Sequence, residues 1–280
     1  MRMKMLPAEV DGYGSMIVPG LSTAPSADVT TDAYAADQVA NNVRVAREYL
    51  EPILRRTGSR TVLDVGCGVG TSVATLVEDG FDAYGVDLAP LTRHWVRQQA
   101  ETSRFFVIDP VDLDLPFKDN ALDFAFTFGV IEHVGTCDGH ATRRRDYHRC
   151  RRRWLREVFR VVRPGGHVLI GGPNRRFPLD FSHGLDSESS AAERWLSRLA
   201  GVSVHRTWGA YFLWAYDDVP AYLYGLEFDM EALSIHGLLK FGRVPKLLRS
   251  LAASYVERLP RLALSSGFNP WVMALVRKGG

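Results

Sequence analysis

The chain has 280 residues, of which 46% are hydrophobic and 24% charged, and its formal net charge is +2. These values are typical of a folded globular protein, and the weak charge gives no argument for a nucleic-acid or membrane-surface partner. Its three cysteines are odd in number and lack metal-ligand spacing, which indicates free thiols in a reducing compartment. Because the sequence shows no apolar run of membrane-spanning length and no signal-peptide core, we expect a cytoplasmic protein.

Residues 1–30 are rich in Pro, Gly, Ser, Thr and Ala, a composition that predicts a flexible arm. The alternative is a lid that becomes ordered over bound substrate, with Tyr13, Met16 and Ile17 as its anchors. From residue 32 to residue 56, apolar side chains recur at helical spacing. One or two helices should therefore precede the first strand.

The clearest functional signal lies at residues 63–70. A short apolar run there leads into alternating glycines and a helix-compatible segment, which predicts a strand, a tight turn and a helix. Such a turn presents backbone amides to a nucleotide, and Asp87, at the end of the next predicted strand, is placed to accept hydrogen bonds from ribose hydroxyls. A dinucleotide-binding turn has a third small residue where this chain has Thr71, and a purely structural turn is the other alternative.

The segments that follow alternate between predicted helices and strands. We predict a helix around residues 91–99, strands at 105–108, 122–128 and 167–170, and a long helix from about residue 143 to residue 162. This order is typical of a parallel sheet covered by helices on both faces, in which ligands bind beyond the carboxyl ends of the strands. Another strand is predicted at 226–233, mostly helix at 238–262, and a final strand at 270–278.

The alternation breaks between about residues 173 and 225, where prolines and aromatic residues cluster. We interpret this region as an insertion that forms a helical and aromatic cap over the sheet and contacts the substrate. Aromatic core formed by helices that pack on the domain is an equal alternative, and the two can hold together. The candidate substrate contacts are Phe177, Tyr211, Trp214 and Tyr216.

Four motifs in order give the chain a family resemblance. They are LDVGCGVG at 63–70, YGVDLAP at 84–90, DLPFKDNALDFAFTFGVIEHV at 114–134 and LREVFRVVRPGGHVLIGGPN at 155–174. This series resembles class I S-adenosylmethionine-dependent methyltransferases, in particular the small-molecule branch that includes ubiquinone-biosynthesis-type enzymes. The resemblance implies an α/β fold with a Rossmann-like, seven-stranded, mostly parallel sheet over residues 31–280. It also implies S-adenosylmethionine as cofactor and S-adenosylhomocysteine as product.

The resemblance also assigns cofactor-binding roles to particular residues. The turn would line the methionine part of the cofactor, Asp87 would bind the ribose, and Leu88 would pack on the adenine. Asp64 would help to hold the amino group, while Asp109 would lie near the adenine amine. The whole set that the resemblance implies is Asp64, Gly66, Cys67, Gly68, Asp87, Leu88, Asp109, Phe128 and Gly129.

The pair Glu132-His133 follows the fourth predicted strand, as it commonly does in this branch. Some members extend the pair to Glu-x-x-Glu-His and bind a divalent metal, but the earlier position here is Gly129, which removes one ligand. We therefore expect no metal site, and the alternative is a weak ion held by Glu132, His133 and water. Imidazole titrates near neutral pH, which makes His133 a candidate general base, and His183 is a second candidate. A structural role for Glu132 and His133 in the loop is the alternative.

Nine arginines lie between residues 143 and 160, and their spacing spreads them around most of a helix. We interpret this segment as a solvated helix whose inward positions are Trp154, Leu155, Val158 and Phe159. An anionic substrate, a carrier protein, a phospholipid surface or RNA phosphate is the functional alternative. Because no nucleic-acid module is recognised, we expect no DNA partner and rank RNA as a minor alternative.

The sequence as a whole predicts methyl transfer from S-adenosylmethionine to a small, ring-bearing, apolar metabolite, with oxygen favoured over nitrogen or carbon as the acceptor atom. The alternative is a protein that binds the cofactor without methyl transfer, as structural support or for a cyclisation or rearrangement. A nicotinamide oxidoreductase is disfavoured by Thr71 and by the methyltransferase motifs. A small-molecule substrate is the expected partner, and a homodimer is considered.

Overall fold

The computed structural model describes residues 39–88, 95, 102–109, 112–136, 143–185, 189–200, 204–208, 211–241 and 244–280. The predicted arm or lid at 1–30 lies outside these residues, as does the predicted helix at 91–99 apart from Trp95. Within the part of the chain that the structure describes, no helix is both long and apolar enough to cross a membrane.

A seven-stranded sheet forms the centre of the molecule. Its strands are β1 (Thr61–Val65), β2 (Asp82–Asp87), β3 (Phe105–Val107), β4 (Leu122–Phe128), β5 (Val162–Pro173), β8 (Phe228–Ala232) and β9 (Trp271–Lys278). They lie in the order β3-β2-β1-β4-β5-β9-β8. The strands from β3 to β5 are parallel, whereas β9 runs antiparallel to both β5 and β8. The predicted α/β fold with a mostly parallel, seven-stranded sheet is therefore confirmed.

Helices cover both faces of this sheet. A π-helical stretch, Val45–Leu50, leads into α1, and a separate short hairpin of β6 (Leu179–Asp180) and β7 (His205–Arg206) follows β5. The α-helices are α1 (Glu51–Thr57), α2 (Thr71–Glu78), α3 (Tyr147–Val161), α4 (Ala191–Ala200), α5 (Asp218–Tyr222) and α6 (Lys246–Glu257). Each face of the sheet has its own hydrophobic cluster, because alternate strand residues such as Leu63 and Val62 point to opposite sides.

Several predicted boundaries differ from the structure. Strand β5 is longer than the predicted 167–170, because it pairs with β9 as far as Pro173. The helix predicted at 238–262 is confined to α6, which begins only after Pro245, whose extended backbone does not continue a helix. Helix α3 begins at Tyr147 instead of about residue 143. These shifts leave the order of the sheet unchanged.

The aromatic residues between 173 and 225 divide into buried and exposed groups. Phe212, Trp214 and Tyr222 are buried and belong to the packed interior, whereas Trp195 and Trp208 are each 62% exposed. The core interpretation therefore describes one part of this region, around residues 212–223. The cap interpretation stays a prediction for the rest.

Helix α3 is more buried than the solvated helix that the arginine run predicts. Its inward positions Trp154, Leu155, Val158 and Phe159 are buried as expected. Arg151 is the exception, because its side chain is only 1% exposed while the neighbouring Arg152 lies at the surface. The positive charge of Arg151 predicted that its side chain would be exposed. The guanidinium is buried because it donates to backbone carbonyls from two other segments of the chain.

Candidate active site

The glycine turn after β1 lies at the carboxyl edge of the sheet. The backbone amides of Gly66 and Cys67 donate to the Val86 carbonyl, which fastens the turn to the end of β2. Gly66 has a φ of +88°, and a Cβ atom there would overlap the Val130 side chain. The turn therefore requires glycine at this position, and it packs directly against the loop that follows β4.

Asp87 lies at the end of β2, with its carboxylate against the same turn. Its two oxygens accept hydrogen bonds of 2.6 Å each from the amides of Gly68 and Leu88. Burial raises the pKa of Asp87 to about 6, although both amide hydrogen bonds act in the opposite direction. The pKa of Asp64 is raised well above its usual value, first by burial and then by the charge of Asp87.

These two neighbouring carboxyl groups test whether the turn suits S-adenosylmethionine. Asp64 is buried and Asp87 is half-buried, and the charge of Asp87 makes ionisation of Asp64 more costly. S-adenosylmethionine carries an ammonium group, which would bring a positive charge to Asp64, and ribose hydroxyls, which would donate hydrogen bonds to Asp87. The residues present therefore fit this cofactor, with Asp64 and Asp87 as the side chains that would hold it.

The other predicted cofactor residues lie at the same edge, but they contribute in different ways. The Cys67 side chain is buried against Gly85, so only its backbone faces the turn. Burial raises the pKa of this thiol well above its usual value, which makes it unreactive. Asp109 follows β3 and holds a local turn through the amide of Asp112, at 3.3 Å. Phe128 ends β4, packing on Phe126 and Tyr49.

Glu132 is a fully buried carboxyl group on the loop after β4. The amide of Gly129, earlier in this loop, donates to the Gly171 carbonyl of β5 at 2.8 Å. Both carboxyl oxygens of Glu132 are buried, and among the described residues they have no hydrogen-bond partner. Burial raises its pKa to about 7, against the opposing charges of His183 and Arg151. Such a group lacks the partner that a buried carboxylate normally has.

His183 approaches this loop from the segment after β6. Its Nδ1 lies 2.7 Å from a carboxyl oxygen of Asp180, and its Nε2 lies 3.4 Å from Nε2 of His133. Asp180 is buried, which alone would raise its pKa, but the hydrogen bond and charge of His183 lower it. Asp180 also accepts a hydrogen bond of 3.0 Å from the Tyr211 hydroxyl. A buried, ionised carboxylate thus orients one of the two histidines.

Arg151 connects the two segments that form this cluster. Its guanidinium donates to the carbonyls of Glu132, at 2.7 Å, and of Val134, at 3.1 Å. It also donates to the carbonyl of Phe212. Because one rigid guanidinium bonds both segments, it sets the position of the Glu132 loop relative to residues 212–213.

The predicted substrate contacts do not all lie together. Tyr211 bonds Asp180 in the cluster, whereas Trp214 is fully buried and lies beside Glu132, behind Gly172. Phe177 packs on Phe181 and Tyr255, outside the histidine pair. Tyr216 packs against the hydrophobic core.

Glu132, His133 and His183 are also able to hold a metal ion by their geometry, since their donor atoms all lie within 4.8 Å of one another. The expectation of no metal rested on Gly129, but the structure brings a third donor, His183, from a segment that no local motif indicates. Asp180 and Arg151 were not among the predicted site residues. Only the spacing of Asp180 and His183, three residues apart, offered a signal in the sequence.

Comparison with known proteins agrees with this geometry. Residues 63–170 match the family described as a methyltransferase domain. A probable S-adenosylmethionine-dependent methyltransferase of Mycolicibacterium smegmatis is 30% identical over 57% of this chain and 58% of its own length. Norajmaline N-methyltransferase of Rauvolfia serpentina is 29% identical over 50% of this chain and 44% of its own. The chain thus matches less than two thirds of either relative.

A solved structure supports the fold independently. Phosphoethanolamine N-methyltransferase 2 of Haemonchus contortus, in complex with phosphomonomethylethanolamine and S-adenosylhomocysteine, superposes with a TM-score of 0.50. The match covers 90% of this chain and 58% of the other, at 17% identity, so it shows the fold alone. The sheet order, the glycine turn with its two acids and the match of residues 63–170 to a methyltransferase domain are together similar to those of class I S-adenosylmethionine-dependent methyltransferases.

Proposed function

We propose that this protein transfers a methyl group from S-adenosylmethionine to a hydroxyl oxygen of a small, ring-bearing, apolar acceptor. The observation that carries the proposal is the cluster of Glu132, His133 and His183, which lies on the loop packed against the cofactor turn. Transfer to oxygen requires that the acceptor hydroxyl lose a proton, and this cluster offers groups that act on that proton. A neutral aromatic amine attacks through its lone pair without first losing a proton, so it needs such a group less than a hydroxyl does.

The contact between Gly66 and Val130 brings the two halves of the site next to each other. Val130 lies two residues before Glu132, so the cofactor turn and the acidic end of the loop share one wall. When bound, S-adenosylmethionine supplies a methyl group on a positively charged sulfur. The protein's part is to place an acceptor oxygen in line and to exclude water, and such placement accounts for much of the acceleration in methyl transfer.

The histidine pair has the arrangement of an oriented imidazole. If Nδ1 of His183 donates to Asp180, its Nε2 carries a lone pair that faces His133. A carboxylate in this position fixes the tautomer and stabilises the imidazolium form. His133 and His183 are therefore proposed as the groups that activate the acceptor hydroxyl.

The aromatic residues around the pair support a ring-bearing acceptor. The Phe212 ring lies 4.8 Å from the His183 ring and 5.5 Å from the His133 ring, measured between centroids. Tyr211 packs edge-to-face on Phe212 at 4.7 Å. Phe212 is buried and packs behind the two histidines, whereas Tyr211 is half-buried and is the ring that we propose contacts a flat, apolar acceptor. A small molecule is the proposed partner, and homodimer formation remains a prediction.

The test begins with mass spectrometry of small molecules that co-purify with the protein. Methyl-labelled S-adenosylmethionine is then incubated with the protein and with hydroxyl-bearing and amine-bearing aromatic acceptors. We expect label to enter the hydroxyl-bearing acceptors. Tight binding of S-adenosylhomocysteine without transfer to any acceptor would favour the alternative of a cofactor-binding protein that moves no methyl group.

A further inference from the structure

We propose that Glu132, His133 and His183 bind a divalent transition-metal ion of the zinc type, with one coordination position left for the acceptor oxygen. This inference rests on the proposed function and specifies it: the two histidines act on the acceptor hydroxyl through a bound ion instead of as free bases. It departs from the sequence, in which Gly129 stands where a further carboxylate ligand would be expected.

The spacing of the two imidazole nitrogens matches coordination to one ion. Two nitrogens that each lie about 2.0–2.1 Å from a tetrahedral zinc are separated by about 3.3–3.4 Å. The Nε2 atoms of His133 and His183 are 3.4 Å apart. Their rings meet at an interplanar angle of 77°, so both nitrogens approach one point without stacking.

Glu132 supplies the third donor and the strongest reason for a cation. Its carboxyl group is fully buried, and within the part of the chain that the structure describes neither oxygen has a hydrogen-bond partner. An isolated buried carboxylate is costly, and such groups are normally paired with a cation or coordinate a metal. Its oxygen lies within 4.8 Å of both histidine nitrogens, which places a cation bound there within reach of all three side chains.

Asp180 completes the arrangement from the second coordination sphere. A histidine that binds a metal through one nitrogen usually donates its other N–H to a carboxylate, which fixes the ring orientation. The 2.7 Å contact between His183 Nδ1 and Asp180 has this form, and the Tyr211 hydroxyl holds the same carboxylate oxygen. Asp180 is therefore a positioning residue that acts through His183.

The donor set also selects the kind of ion. Two imidazoles and one carboxylate suit zinc, cobalt, iron or nickel, whereas magnesium and calcium prefer oxygen ligands. A Cβ atom at Gly129 would lie 3.7 Å from Glu132 Oε1, so the glycine leaves room beside the carboxylate. Three protein ligands with an open position are the pattern of catalytic zinc sites, in which the ion promotes loss of a proton from a bound oxygen.

The direct test uses the untagged full-length protein, treated with a chelator and titrated with Co²⁺. We expect one equivalent to bind and to give the visible absorption of a cobalt ion with nitrogen ligands, and Zn²⁺ should displace it. Glu132→Gln and His183→Gln should each weaken cobalt binding on the order of 100-fold, and Asp180→Asn roughly 10- to 100-fold. The exposed His236, which pairs with Glu257, provides the matched control His236→Gln, with unchanged cobalt binding.

Binding of S-adenosylhomocysteine to each variant separates loss of the ion from loss of the fold. Retained cofactor binding with lost cobalt binding supports the site. Absence of cobalt binding at millimolar concentration, or equal binding by wild type and Glu132→Gln, overturns it in favour of a metal-free contact between Glu132 and the nearby Trp214 indole. Methyl transfer at full rate by chelated protein would contradict the inference alone, whereas cobalt binding without any transfer would contradict the proposed function alone.

Discussion

The proposed cofactor-binding half and the proposed acceptor-binding half of the site, called the cofactor half and the acceptor half, are built in different ways. The cofactor half consists of the turn after β1 and Asp87 at the end of β2, both within about 25 residues of one another and at adjacent strand ends. The acceptor half joins the loop after β4 to the segment of Asp180 and His183, and His183 lies 50 residues after His133. The first is a local construction on neighbouring strands, while the second depends on long-range packing. A substitution in one half should therefore impair the binding function of that half and leave the binding function of the other half intact.

The largest effect is expected from Asp87→Ala in the cofactor half. Removal of the carboxylate should weaken S-adenosylhomocysteine binding by about 100-fold, because hydrogen bonds to a charged group contribute roughly 1.5–3 kcal/mol each. His133→Ala, in the acceptor half, should change this affinity by less than about threefold. Calorimetric titration of both variants tests the separation, and equal losses would contradict it.

The next effect concerns Arg151, whose hydrogen bonds connect the Glu132 loop to residues 212–213. Arg151→Lys should lower the free energy of unfolding by about 2–3 kcal/mol, since lysine cannot reach the carbonyls of Glu132, Val134 and Phe212 together. The adjacent, exposed Arg152 gives the matched control, and Arg152→Lys should stay within about 0.5 kcal/mol of wild type. Urea unfolding measures both. Similar changes in the free energy of unfolding for the two variants would mean that the buried guanidinium of Arg151 does not stabilise the fold more than an exposed one.

Gly172→Ala tests whether a change next to Glu132 in the acceptor half leaves cofactor binding intact. A Cβ atom there would overlap the Trp214 indole and lie 2.9 Å from a Glu132 carboxyl oxygen. We expect a loss of about 1–3 kcal/mol in unfolding free energy, as for other insertions into packed sites. Cobalt binding should fall, while S-adenosylhomocysteine binding should remain within about threefold. Loss of cofactor affinity equal to the loss of cobalt affinity would show that the halves are not separable.

The smallest effect is a dependence of cofactor affinity on pH. Because burial raises the pKa of Asp87 to about 6, this group becomes protonated in the free protein as the pH falls below that value. Affinity for S-adenosylhomocysteine should then decrease by up to about tenfold per pH unit. Asp87→Asn should remove the dependence, and a wild-type affinity that stays constant between pH 7 and pH 5 would count against the role of this carboxylate.

The same raised pKa has an opposite consequence for stability. In the unfolded chain Asp87 titrates near its ordinary pKa of about 3.9. Its contribution to the stability of the free protein is therefore fully present below about pH 3.9 and is lost as the pH rises through about 6. Ionisation of Asp87 should therefore increase the affinity for the cofactor but decrease the stability of the protein without cofactor.

The cofactor half was predictable because its signals are local. Glycines that need a positive φ come first in the chain, and an acid at the end of the next strand comes after them. The alternation of strands and helices then predicts the parallel sheet. The seven-stranded order follows from that alternation. The boundaries of β5 and α6 differ because pairing partners and Pro245 decide where an element ends.

The acceptor half was only partly predictable. Glu132 and His133 were visible as a pair, and His183 was named as a candidate, but nothing in the sequence indicates that His133 and His183 meet at 3.4 Å. Arg151 was misassigned because, within a run of arginines, charge predicts exposure. Its burial results from carbonyls that only the folded chain brings to it.

Transfer of labelled methyl by wild type, Asp87→Ala and Glu132→Gln with one hydroxyl-bearing acceptor measures both halves of the site in one assay. We expect Glu132→Gln to bind S-adenosylhomocysteine like wild type but to transfer label on the order of 100-fold more slowly, whereas Asp87→Ala should lose binding and transfer together. Full transfer by Glu132→Gln, or loss of its cofactor binding, would contradict the division of the site into a cofactor half and an acceptor half.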